Sequence, residues 1–197
     1  MVSSATRGRP RSFDRDTALD LAIRLFWRKG YEATSVRDLS EELGIGTPSL
    51  YNAFGDKKAL FTEAVSIYDR EYGGFIEAAI QDAPTSAAAV RRILLEAPAR
   101  YTRHGLPHGC LVASGDAGTT DSEIHDSLQH LRSEKAQSLS DRIRADISAG
   151  QLPEDTDADG LSGYVMTVIS GLAQRASEGA TKAELTTIAD IATRSCP

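Results

Sequence analysis

Apolar residues recur at helical spacing along almost the whole chain, and no alternation of period two persists long enough to suggest a strand. Ala18, Leu21, Ala22, Leu25 and Phe26 form the stripe of an amphipathic helix from about Asp14 to Lys29, closed by Gly30. Ser35, with Asp38 three residues on, predicts the cap of a second helix running to about Leu43 and stopping at Gly44-Ile45-Gly46. Thr47 reads as the cap of a third helix, with Pro48 at its first position and its end near Phe54-Gly55. Asp56 opens a fourth, whose face carries Leu60, Phe61, Ala64, Val65, Tyr68 and Tyr72; Gly73-Gly74 kinks or interrupts it.

After the break at Ala83-Pro84, Thr85 or Ser86 caps a helix with the stripe Val90, Ile93, Leu94, Ala97 and Tyr101, which Pro98 bends. Residues 104–121 read as irregular, with one short helix around Cys110 to Ser114. Ile124, Leu128, Leu131, Leu139, Ile143 and Ile147 mark a long helix ending at Gly150. Two more helices, about 158–177 and 181–195, close an all-α chain of about nine helices.

Composition narrows the classes. A chain of 197 residues with 41% hydrophobic residues can build a core without metal or disulfides. The two cysteines, Cys110 and Cys196, form no framework and fit a reducing, cytoplasmic compartment. The longest uncharged stretch, Gly160 to Gln174, has 15 residues, short of the roughly 20 a membrane span needs. The early arginines have no apolar run behind them, which argues against a secretory leader.

Net charge is −6, yet it is unevenly spread. Residues 1–60 hold ten Lys/Arg against eight Asp/Glu, whereas the rest holds twelve against twenty. An acidic body with a basic-tipped end suggests two jobs in one chain.

The informative stretch is 35–54. Two short helices joined by a glycine-containing turn have the layout of a helix-turn-helix, whose second helix enters the major groove. Leu39, Leu43, Ile45, Leu50 and Phe54 would pack the pair, leaving Thr47, Ser49, Tyr51 and Asn52 as a polar face able to meet base edges or phosphates. Lys57 and Lys58 follow at a helix N-terminus, where a phosphate is favoured. The same spacing also suits a helical hairpin with a solvated face.

Phe13 to Leu60 resembles the DNA-binding domain of the tetracycline-repressor (TetR) family. The likeness is carried by Ala18-Leu19, Leu25-Phe26, Gly30-Tyr31, Thr34-Ser35-Val36, Leu43-Gly44-Ile45, Leu50-Tyr51, Phe54, Asp56-Lys57 and Ala59-Leu60. The resemblance implies a three-helix DNA-binding domain over 13–60 and an effector-binding and dimerisation domain over 61–197. It implies a homodimeric repressor of a palindromic double-stranded operator, released by a small molecule. Carried onto this chain, Tyr51 and Lys57 match phosphate contacts, Thr47 and Ser49 approach bases, and Thr34 and Arg37 meet the backbone. Asn52 stands where the family most often has His, Ala53 where an aromatic is common, and Pro48 where Gly is frequent; these departures bear on operator sequence. Residues 1–12 read as a basic arm, in which Arg7-Gly8-Arg9-Pro10-Arg11 resembles a minor-groove hook, with Arg9 at its centre.

The second half offers weaker signals. Tyr68, Tyr72 and Tyr101, with His108 and Cys110, are the candidate effector pocket. His104, His108 and Cys110 could ligate a metal, or Cys110 could sense oxidants, but Gly105, Pro107 and Gly109 oppose a helical ligand pair. No metal or other cofactor is expected. No phosphate loop, nucleophile elbow or zinc-protease motif occurs, so an enzyme is not expected. Leu161, Val165, Val168, Leu172, Leu185 and Ile188 are read as a dimer interface, beside the small residues Gly163, Gly171 and Ala173.

Overall fold

The computed structural model describes residues 14–196. Among the described residues there are ten α-helices, one π-helical turn and no strand. The first helices are α1 (Arg15–Lys29), α2 (Val36–Leu43), α3 (Thr47–Phe54) and α4 (Lys57–Tyr68), followed by the π turn Asp69–Gly73. Then come α5 (Phe75–Asp82), α6 (Ser86–Tyr101), α7 (Leu111–Ser114), α8 (Ser122–Ser148), α9 (Ala158–Ser177) and α10 (Lys182–Arg194). The tenth helix arises at Gly73-Gly74, where the chain leaves the π turn and starts α5 instead of merely kinking.

Capping chemistry sets most boundaries. Asp14 caps α1, Ser35 and Asp38 form a reciprocal capping box on α2, Asp56 caps α4, and Thr181 with Glu184 boxes α10. At α3 the expectation fails by one residue. Gly46 occupies the cap without a side-chain bond, and Thr47 begins the helix, its hydroxyl 3.2 Å from Ser40 Oγ.

Two cores form. The first joins α1–α4 with Leu111, Val112, Ile124 and Leu128, so the packing around the helix-turn-helix continues past residue 60. Phe26 and Phe61 meet edge to face at 5.0 Å, and Trp27 meets Tyr68 at 4.7 Å. The second core gathers α5, α6, α8, α9 and α10. Asp146 on α8 is buried and accepts from the Ser86 N–H at the start of α6 and from Arg142. Burial opposes its charge, yet these bonds hold its pKa below the usual carboxylate value.

The segment between α6 and α8 clamps the two cores together. Arg24 donates to the Gly105 carbonyl at 3.0 Å, and the Tyr31 N–H donates to the Gly115 carbonyl at 2.8 Å. Gly109 sits at φ +89°, and a Cβ there would lie 2.9 Å from the Ala173 carbonyl of α9. Gly44 shares the left-handed conformation at φ +65° but has open space around it.

The contrast gives a measurement. Gly44→Ala should cost about 1–2 kcal/mol, the left-handed penalty alone. Gly109→Ala should cost that and roughly 1–3 kcal/mol more, because the new methyl meets an immobile carbonyl. Equal losses in urea midpoints would show that α9 yields freely there.

Candidate nucleic-acid interface and effector cavity

Leu50 and Phe54 anchor α3 in the first core, which turns the rest of the helix outward. Thr47, Ser49, Tyr51 and Asn52 are all exposed; Tyr51 is a large ring left 47% exposed. The helix holds no acidic or basic residue in its first or last turn, so hydroxyls and one amide dominate the face. Arg37 on α2 is also exposed, its guanidinium paired among the described residues with Glu41 one turn on, at 2.8 Å. These five residues share one surface chemistry, suited to phosphates and base edges. Arg9 lies outside the described residues.

Two expected contacts are different in kind. Thr34 is fully buried and donates to the Gly30 carbonyl at 2.6 Å, so its side chain is not available to a phosphate. Lys57 points inward across the end of α1. Its ammonium donates to the Tyr31 and Thr34 carbonyls, both at 3.0 Å, and stands 4.0 Å over the Tyr31 ring. It closes the α1–α2 turn, so its ammonium is committed to the protein's own carbonyls. Lys58 is likewise engaged, with Asp121 at 2.9 Å and Glu123 at 3.1 Å. The bond to Asp121, and then that to Glu123, push its pKa up to about 12.

Behind the π turn lies a cavity of about 80 Å³. Tyr68, Tyr72, Tyr101 and Cys110 all line it; His108 does not, and is exposed. Gly109 separates the two, and its positive φ lets Cys110 turn inward while the histidine stays outside. Trp27, Phe75, Met166 and Ile169 add apolar wall, and Arg100, Arg103, Arg132 and Lys135 add cations that the sequence reading missed. The Tyr68 hydroxyl lies beside the Cys110 sulfur. Burial pushes the Cys110 thiol above its ordinary value, so it is neutral near pH 7 and is not an activated thiolate. Among the described residues, no three of His, Cys, Asp and Glu converge as metal ligands. Neither form of a cysteine- or metal-based sensor finds support in this geometry.

Residues 18–64 match the family described as bacterial regulatory proteins, tetR family, and residues 86–189 match the tetracyclin repressor-like C-terminal domain. The chain belongs to the TetR family. It is 32% identical to the Escherichia coli transcriptional repressor ComR over 98% of this chain and 93% of that protein. Identity to the E. coli repressor BdcR is also 32%, over 89% and 85%. A cysteine-substituted form of the TetR family regulator CifR, complexed with 26-bp operator DNA, superposes with a TM-score of 0.88 at 38% identity, covering 96% of this chain and all of that one. This TetR-family chain is therefore a DNA-binding transcriptional regulator.

The regulator's last two helices correct part of the expected interface. Val165, Leu172 and Leu185 are buried in the subunit's own second core, and Leu161 packs partly against it. Side chains already enclosed by α6 and α8 have no surface left for a partner. Val168 is half-buried and Ile188 is 41% exposed. With Tyr164 at 40% and Ile191 at 54%, they define the outward face, where Gly163 and Gly171 have open space. No helix among the described residues is long and apolar enough to cross a membrane.

Lys57→Ala should destabilise the free protein by about 1.5–3 kcal/mol, because it strips a charged donor from two turn carbonyls. Chemical denaturation without DNA reads this directly. An unchanged midpoint together with weaker operator binding would make Lys57 a simple phosphate contact.

Proposed function

We propose that this regulator is a repressor that binds a palindromic operator as a homodimer and is released by a small organic effector in the cavity behind the π turn. The observation that carries the reading is α4. Its first turn supports the recognition helix region, and its last residue, Tyr68, lines the cavity. Residues 13–60 then serve DNA contact, with residues 1–12 as a basic arm, and 61–197 serve effector binding and dimerisation. The chain works by binding rather than catalysis, in the cytoplasm where its operator lies.

In this reading Thr47, Ser49 and Asn52 read bases, and Tyr51 and Arg37 hold phosphates. Tyr164, Val168, Ile188 and Ile191 from two subunits make a four-helix interface. That interface sets two recognition helices roughly 34–36 Å apart, one turn of DNA. A cavity of about 80 Å³ is smaller than the roughly 300–1,000 Å³ of ordinary ligand sites. An effector must therefore push its walls apart. The π turn, with its longer and weaker ladder, is the wall that yields, and α4 moves with it.

Three outcomes test the reading. Asn52→Ala should shift the selected consensus at one position of each half-site, a loss of about 1–3 kcal/mol against the original base. An unchanged consensus would remove Asn52 from base reading. The double change Ile188→Glu and Ile191→Glu places charge on a face the subunit leaves exposed, so the fold survives while the pair separates. It should sediment as a folded monomer with weakened operator binding, and a persistent dimer would locate the interface elsewhere. Finally, a screen of small organic compounds should find ligands that both raise the melting point and release the operator, since the two effects are linked. Melting shifts without release would confine the cavity to a structural role.

A further inference from the structure

Lys135 occupies an unusual place. It stands on α8 one turn after Leu131 and one turn before Leu139, in line with the stripe that faces the core. Its side chain is 14% exposed, and its Nζ lies 2.7 Å from Oδ1 of Asp69, itself 24% exposed. A buried ammonium requires a counter-charge, and whichever anion meets it with the best geometry will hold it. Asp69 meets it imperfectly: Oδ1 is buried and lacks a well-directed hydrogen bond. Both residues line the cavity, and both also line an open polar groove between α5 and α8, so the pair is the partition between them.

The remaining charge favours one sign of ligand. Four cations and two carboxylates, Asp69 and Glu71, face the cavity. Arg132 is held by Asp116 and Arg100 by Glu96. Arg103 is exposed, and while its carbonyl accepts from the Leu106 N–H, its guanidinium has no ion pair or hydrogen bond among the described residues. An incoming anion thus meets one uncommitted guanidinium at the cavity wall and, inside, an ammonium whose carboxylate partner it can replace, while Phe75, Met166 and Ile169 offer apolar contact.

We propose that the effector is a small carboxylate with an apolar or aromatic body, and that Lys135 accepts its carboxylate in exchange for Asp69. The inference rests on the reading of this cavity as the effector site and names its ligand class. Asp69 is the first residue of the π turn, and Gly73, the last, lies so close that a Cβ there would be 2.7 Å from Oδ1. The exchange frees the carboxylate that pins the turn to α8 and lets the end of α4 shift. One binding event then supplies both affinity and the structural change.

The test uses matched probes on the full-length protein: benzoate, phenylacetate, hexanoate and isovalerate, each with its primary amide and its amine. Calorimetry on the DNA-free protein gives affinity, and fluorescence anisotropy of a labelled operator gives release. At least one carboxylate should bind tenfold or more tighter than its amide and amine and should release the operator. Lys135→Met should erase that preference, Lys135→Arg should retain it, and Asp69→Asn should tighten carboxylate binding by removing the competitor. Amides or amines that bind and release as well as any carboxylate would overturn the anion inference and leave the cavity reading intact. A carboxylate preference that survives Lys135→Met would also overturn it. If no probe of any charge binds, both readings fall.

Discussion

The twelve residues of α4 must satisfy two environments with one rigid rod. Leu60, Phe61, Ala64 and Val65 pack with α1 in the first core, while Tyr68 closes the far end against Trp27 and the Cys110 thiol. A helix packed this way cannot bend locally without losing contacts at near-crystalline density. In the proposed reading a displacement at its cavity end reaches its first turn, where Asp56 caps the helix and Lys57 holds the α1–α2 turn. Everything else about the molecule either holds that rod or gives it something to respond to.

What holds it is more than the α1–α4 packing. The linker between α6 and α8 touches the DNA-binding unit at both ends: Gly105 through Arg24, Gly115 through Tyr31, Thr119 through Glu32 and Asp121 through Lys58. The same linker carries Cys110 and Val112 into the cavity wall. The head is thus clamped by a segment that lines the cavity as well as by α4. A wall movement reaches it along two paths, both made of packed or hydrogen-bonded elements with few alternative arrangements.

Much of this was legible in the sequence where the signal is local. Caps such as Ser35 with Asp38, the glycine stop at Gly44 and the stripe on α4 depend on neighbours within four residues, and they mark the helix-turn-helix directly. Resemblance to a family then supplied what spacing left open between a DNA reader and a plain hairpin. The misses are tertiary. Thr34 and Lys57 look like surface donors until the end of α1 folds over them and supplies carbonyls. Val165, Leu172 and Leu185 are apolar for one reason, burial against α6 and α8, that a stripe cannot distinguish from burial against a partner. Lys135 did leave a trace: a charged residue at the i+4 position between Leu131 and Leu139 interrupts an otherwise apolar face. That break marks a cation that needs a buried partner, and Asp69 is 66 positions away in the chain, out of reach of any local rule.

The direction of control follows from volume and charge together. A ligand changes an equilibrium only through its different affinity for the two states. In the arrangement described here the cavity is tight and Lys135 is already claimed by Asp69, so this state resists any ligand of appreciable size. In the proposed reading, a state with a loosened π turn offers more room and frees the cation, so it is the one that ligand binding selects. If the tight arrangement is the one that places α3 for the operator, linkage requires ligand and DNA to oppose each other, each weakening the other by the same factor. In the proposed reading, room for the ligand's apolar body supplies part of that difference, since equal affinity shifts nothing. The rest comes from the groups whose partners change, and among the described residues the Asp69–Lys135 pair is the one charged contact that joins the π turn to α8 across this wall.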